Sequence, residues 1–130
     1  MKETASEAPL SPRAYFERRC AAGELAFQRD LDTGRAVFPP RMVAPGSGSD
    51  RLAWETSKGL GTVYATTTVH SRDAGPYNLT LIDLDEGFRM MARVEELGSE
   101  QVRIGLRVRL RMEKSGEESF PIFIPAAAPP

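Results

Sequence analysis

The chain is 130 residues long, with 17 basic and 18 acidic residues and a net charge of −1. That length suits one domain, or one domain with a small appendage, and allows a core without disulfides. The near-neutral balance argues against a protein held to nucleic acid by bulk charge, while the single cysteine, Cys20, excludes an internal disulfide and fits a reducing compartment.

Residues 1–10 read as a disordered lead-in. They lack the apolar stretch of a signal peptide, and no apolar run along the chain approaches membrane-spanning length. The expectation is a cytoplasmic protein with no membrane partner. Ser11-Pro12 then reads as an N-cap followed by proline at the first helical position, opening a short helix that stops at Gly23. Tyr15, Phe16, Arg19 and Cys20 lie at helical spacing on it, and a helix this short needs a docking surface.

Residues 24–50 have the layout of a zinc ribbon with the metal site erased. Leu25-Ala26-Phe27-Gln28 is a strand candidate, Leu31-Asp32-Thr33-Gly34 a turn, and Arg35-Ala36-Val37-Phe38 its return, stopped by Pro39-Pro40. A ribbon carries two C-x-x-C knuckles; here the four knuckle positions hold Asp30, Thr33, Ala44 and Ser47. At most one of these is a zinc ligand type, so no metal is expected.

From residue 51 the pattern turns to steady β. Arg51-Leu52-Ala53-Trp54-Glu55 alternates weakly, and residues 62–70 form a β-branched run. Residues 71–76 read as a loop, 77–84 as a strand, Asp85-Glu86-Gly87 as a tight turn, and 88–94 as the returning strand. Val102, Ile104, Leu106, Val108, Leu110 and Met112 alternate with polar or small residues, which predicts one strand over 102–112. Residues 120–125 form a last short strand, and 126–130 a loose tail. Five or six hairpin-linked strands predict a small barrel or sandwich.

In order and spacing these pieces resemble the zinc-ribbon plus OB-fold acyl-CoA-associated family, domain-of-unknown-function family thirty-five. The resemblance rests on Leu25, Gln28-Arg29, Gly34, Phe38-Pro39-Pro40-Arg41, Pro45, Gly48-Ser49, Leu52 and Trp54, followed by Gly59-Leu60-Gly61-Thr62-Val63-Tyr64, Thr67-Thr68-Val69-His70, Pro76-Tyr77, Leu84-Asp85-Glu86-Gly87, Gly105 and Val108. It implies a mainly β chain: an N-terminal tail and helix over 1–23, a degenerate rubredoxin-like ribbon over 24–50, a five-stranded OB barrel over 51–125 and a tail over 126–130. It also implies a non-catalytic partner of a thiolase-like enzyme or a hot-dog hydratase-like enzyme, with acyl-CoA as a ligand. The departure is the loss of all four family cysteines.

Candidate sites divide between functional and plainer readings. Asp30, Asp32 and Thr33 have too few oxygens for a hard cation, and a turn role for Asp32 is the simpler reading. His70 has no nucleophile placed by motif beside it. Cys20 reads as a packing residue. Ser57-Lys58-Gly59-Leu60-Gly61-Thr62 superficially resembles a phosphate loop but precedes a strand. Asp83, Asp85 and Glu86 form an acidic cluster that could supply a pair of catalytic carboxylates, but the turn ending at Gly87 explains Asp85 and Glu86 more simply. Arg103, Arg107, Arg109 and Arg111 fall on one face of the predicted strand, with Arg41 able to join them; they are either a solvated face or a strip for coenzyme A phosphates or an acidic partner. Tyr15, Phe16, Phe38, Trp54 and Phe123 are apolar contacts in the core or at an interface. The leading expectation is an accessory protein that is not an enzyme and carries no cofactor of its own. A single-stranded nucleic-acid OB module, using Tyr64, Tyr77 and Phe88 as stacking platforms, is the alternative. A homo-oligomer is left open.

Overall fold

The computed structural model describes residues 10–73 and 75–126. The lead-in expected before Leu10 and the tail from 127 onward lie outside these residues. Helix α1 spans Pro12–Ala21. Ser11 Oγ accepts the Ala14 amide at 3.1 Å, the cap that its position before proline foretold. Phe16 and Cys20, one helical turn apart, are buried. Tyr15 lies 4.6 Å from the Trp54 ring, centroid to centroid, and the Arg19 guanidinium donates to the Tyr15 hydroxyl, Glu24 and Thr56. The helix therefore has the docking surface that its length demands.

Strands β1 (Ala26–Asp30), β2 (Ala36–Val37) and β3 (Leu52–Thr56) form one antiparallel sheet in the order β2-β1-β3. β3, on the far side of the boundary expected at residue 50, pairs with β1 along its full length, from Ala26↔Thr56 to Asp30↔Leu52. The second sheet contains β4 (Leu60–Ser71), β5 (Gly75–Leu84), β6 (Arg89–Ala92), β7 (Arg107–Ser115) and β8 (Glu118–Pro125), ordered β6-β5-β4-β7-β8.

This second sheet curls round until its ends meet at a parallel bridge between Val94 and Phe123. The Phe123 amide donates to the Arg93 carbonyl at 2.9 Å, and the Glu95 amide to the Phe123 carbonyl at 2.8 Å. That leaves the amide and carbonyl of Val94 facing the other way, where the buried Asn78 side chain takes both, each at 2.9 Å. Thr80 and Thr66 extend this network, with Thr80 Oγ1 donating to Asn78 Oδ1 at 2.8 Å. A nearly closed five-stranded antiparallel barrel with one parallel closure is an OB-fold.

Two expectations about strands are corrected. Residues 102–106 are not part of a strand: a 3₁₀ turn at Ser99–Gln101 and Gly105 at φ 93 interrupt the chain, and β7 begins only at Arg107. The alternation there reflects Val102 anchoring in the core while Ile104 is 73% exposed. Arg103 is accordingly absent from the strand that carries Arg107, Arg109 and Arg111. Residues 71–76 are not an open loop either; pairing continues to Ser71↔Gly75, so β4 and β5 form a tight hairpin that includes Pro76.

One hydrophobic cluster joins the helix, the ribbon and the barrel. It includes Phe16, Cys20, Leu25 and Phe27 as well as Val63, Ile82, Leu84, Phe88, Val94, Val108 and Phe123. Where β4 meets β5, Gly61 passes so close that a Cβ would stand 2.8 Å from both the Asp83 carbonyl oxygen and Ile82 Cγ2. Backbone cannot give way there cheaply. Gly61→Ala is expected to lower the unfolding free energy by about 1–3 kcal/mol in a denaturant titration, the range for overpacking; a neutral result would show that β4 can shift. Among the described residues no helix is long and apolar enough to cross a membrane.

Candidate functional site

The four positions expected at the knuckles come together. Asp30, Thr33, Ala44 and Ser47 line one cavity of about 370 Å³ between the two knuckles. The donors offered are one carboxylate, two hydroxyls and a methyl, whereas tetrahedral zinc sites use thiolate, imidazole and carboxylate. This set does not fit zinc. Ser47 Oγ donates to Asp30 Oδ2 at 2.6 Å, and the Asp32 amide to Asp30 Oδ1 at 2.9 Å. The Ser47 hydroxyl first, then the Asp32 amide and Thr33, hold the Asp30 carboxyl below its ordinary pKa, against the opposing effect of burial.

A carboxyl whose folded pKa is depressed contributes stability above its unfolded value of about 3.9, and loses it as pH falls through the lower folded value. The stability gap between wild type and Asp30→Asn should therefore narrow as the pH is lowered from about 6 to about 3, read by denaturant titration at each pH. A gap that stays constant would mean that the Asp30 charge is not what the knuckles use.

Two further sequence motifs explain themselves in contact. The Gln28 amide exchanges two hydrogen bonds with the Arg41 backbone, at 2.7 and 2.9 Å, joining β1 to the segment after Pro39-Pro40. Glu86, in the turn after β5, accepts from Ser57 Oγ at 2.8 Å and from the Lys58 amide at 2.7 Å, while the Gly59 amide donates to Ser57 Oγ. The amides of the loop that resembles a phosphate cradle are thus already engaged. Asp85 is paired with Arg107 at 2.8 Å, which holds its carboxyl below the usual range. The acidic cluster is completed by Asp83, which holds Arg89 at 2.6 Å. All three acids serve structural bonds.

The basic strip is broken up. Arg107 belongs to Asp85, and Arg111 bridges Glu96 and Glu113. Among the described residues Arg41, Arg103 and Arg109 form no ion pair, and they sit on the ribbon, the segment before β7, and β7 respectively. Phe16 is a core residue, set edge-on to Phe38 at 5.6 Å, and Tyr15 covers Trp54, so the helix turns its aromatic face inward. Cys20 is buried, which pushes its thiol pKa up and leaves it a poor nucleophile. His70 is exposed near the end of β4.

The proposed stacking platforms are also accounted for. The Arg89 guanidinium lies 3.5 Å from the Tyr64 ring centroid and that of Arg93 4.4 Å from Tyr77. Phe88 is buried between Phe27 and Phe38. An open groove of about 690 Å³ runs between β5–β6 and β7–β8, beside the Val94–Phe123 closure. Its apolar lining includes Leu79, Met91, Phe120 and Ile122, and its charges balance as Arg93 and Arg111 against Glu95 and Glu113. Sequence reasoning missed this groove and the Asn78 network. The available signal was an inversion on β5, where Asn78 and Thr80 face inward and Leu79 faces out.

A ribbon sheet and capping helix packed on an OB barrel define a two-part β scaffold. Residues 54–113 match the family model described as "ChsH2, C-terminal OB-fold domain". The chain is 29% identical over 91 residues to a DUF35 domain-containing scaffold protein of Pyrococcus furiosus, covering 66% of this chain and 67% of that one. It is 31% identical over 107 residues to the 3-oxo-4,17-pregnadiene-20-carboxyl-CoA hydratase alpha subunit of Mycobacterium tuberculosis; that match covers 78% of this chain but only 34% of the subunit's length. A solved chain described as "Ltp2-ChsH2(DUF35) aldolase" superposes with a TM-score of 0.80 at 25% identity, covering 93% of this chain and 99% of that one. Along most of its length the chain is therefore similar to proteins of the DUF35 family.

Proposed function

We propose that this protein is a non-catalytic accessory subunit that binds an enzyme of acyl-CoA metabolism, of thiolase-like or hydratase-like type, and helps to hold its acyl-CoA. The observation that carries this reading is the superposition along nearly the whole length of a DUF35 chain whose description couples it to an aldolase. The names of the hydratase alpha subunit and of the scaffold relative support the same class of work. The chemistry of the surface supports it too. Each acid of the turn is bonded, the cysteine is buried, and no sequence motif pairs the only histidine with a nucleophile. The protein brings no cofactor of its own, and zinc is not expected to bind.

Two proposed contact regions follow. The charge-balanced apolar groove suits a protein surface or an acyl chain better than a polyphosphate. Arg103 and Arg109, and Arg41 on the ribbon, remain as cations for coenzyme A phosphates. The nucleic-acid alternative loses support because the tyrosines that would stack bases carry arginines of this same chain and Phe88 is buried.

Co-expression with a thiolase-like or hydratase-like enzyme encoded beside it, followed by size exclusion at low and high salt and acyl-CoA titration, tests the proposal. Co-elution that survives high salt is the expected result. Separate elution at every salt concentration, or thioester turnover by this chain alone, overturns it. Tight single-strand binding that collapses with salt would favour the nucleic-acid reading instead.

A further inference from the structure

The two knuckles of a metal-bearing ribbon are held together by the ion, whose binding energy is also folding energy. This chain keeps the two turns and their convergence but not the ligands. We propose that a hydrogen-bonded clasp centred on Asp30 has taken over the metal's mechanical role, so that the ribbon folds without zinc while its four knuckle positions retain the arrangement of a metal site.

Four observations carry this. First, the side chains at all four positions border the same cavity, so the turns have not drifted apart. Second, the strongest link runs across the turns: Ser47 Oγ, in the second knuckle, reaches Asp30 Oδ2, in the first, at 2.6 Å over 17 residues of sequence. A hydrogen bond to an ionised carboxylate is about twice as strong as a neutral one. Third, a parallel link lies just outside it. Ser49 Oγ donates to Asp32 Oδ2 at 2.6 Å, and Arg51 donates to Asp32 Oδ1 at 2.5 Å. Fourth, the corner with no donor is closed by packing. Ala44 is 2% exposed, and its amide and carbonyl bond within the second knuckle, to Ser49 and Gly48 at 2.8 and 2.9 Å.

Burial of Asp30, also 2% exposed, would be costly for an unpaired carboxylate. Here its oxygens have donors, and no buried side-chain nitrogen or oxygen among the described residues lacks a partner. The rest of the metal's contribution is offset by packing: Leu25, Ala26 and Phe27, the strand leading into the first knuckle, are fully buried in the common core. The inference is independent of what the protein binds.

The test uses the full chain. Wild-type protein purified with zinc in the medium should carry no stoichiometric zinc, and a chelator should leave its melting temperature unchanged. In a double-mutant cycle, Asp30→Ala and Ser47→Ala should couple by roughly tenfold or more in the unfolding equilibrium constant; if Asp30→Ala does not fold, Asp30→Asn replaces it. The combined variant Asp30→Cys, Thr33→Cys, Ala44→Cys, Ser47→Cys should bind one zinc per chain with a tetrahedral thiolate spectrum of its cobalt form, and should become chelator-sensitive. Tight zinc binding by wild type, or additive effects of the two alanine substitutions, would overturn the clasp. A quadruple variant that ignores zinc would overturn the retained geometry.

Discussion

Asn78→Ala is expected to reduce the unfolding free energy by about 3 kcal/mol, because it orphans two buried backbone groups that each cost about 1–3 kcal/mol unpaired. The Val94 amide and carbonyl face away from β8 at the barrel's closure, and the Asn78 side chain is the partner of both. Asn78 is itself 3% exposed, so water does not readily replace it. Asn78→Asp separates the two bonds: a carboxylate still accepts from the Val94 amide but has no N–H for the carbonyl. It should fall below wild type at neutral pH, with the further burden of a buried charge. Urea titration with far-UV circular dichroism reads both variants. A loss below about 0.5 kcal/mol for Asn78→Ala, the level of an ordinary surface change, would mean that Val94 finds other partners.

Phe123→Ala should be the larger loss, about 3–5 kcal/mol, as for other buried phenylalanines cut back to a methyl. Phe123 is fully buried, and its backbone forms the parallel bridge that closes the barrel. The bridge uses main-chain atoms, so Phe123→Leu keeps it and should cost no more than about 1.5 kcal/mol. Equal losses for the two variants would show that ring volume is not what the site requires. Asn78 and Phe123 grip Val94 from opposite sides, so the double variant Asn78→Ala, Phe123→Ala should depart from additivity. Once the closure has opened, the second substitution has less left to break.

Much of this architecture could be read from residue order. Ser11-Pro12 fixed the start of α1 through capping chemistry, and the β-branched run over 62–70 fell inside β4. Asp85-Glu86-Gly87 turned where expected, with Gly87 at φ 105. What failed was polarity as a guide to facing. Val102, Ile104 and Leu106 mimic a strand, yet Gly105 and the 3₁₀ turn before it send Ile104 into solvent. Asn78 and Thr80 look like outward residues but are satisfied inside the barrel, which pushes Leu79 out to the groove. The four arginines near 103–111 were legible as a charged strip only while their partners were unseen. Asp85 and Glu96, distant in sequence, claim two of them. Asp30, Thr33, Ala44 and Ser47 border one cavity, but no local pattern says that Asp30 and Ser47 would meet.

Four phenylalanine rings run from α1 through the ribbon into the barrel: Phe16 against Phe38, Phe38 against Phe88 and Phe88 against Phe27, with centroids 5.6, 5.0 and 4.7 Å apart. Phe88 follows the hairpin of the barrel, whereas Phe27 and Phe38 flank the first knuckle. Ribbon and barrel therefore cannot melt one after the other without exposing a shared aromatic face. Scanning calorimetry should record a single heat-absorption peak whose van't Hoff and calorimetric enthalpies agree. A barrel cut free of its first fifty residues would be left with a sticky wound around Phe88, prone to self-association.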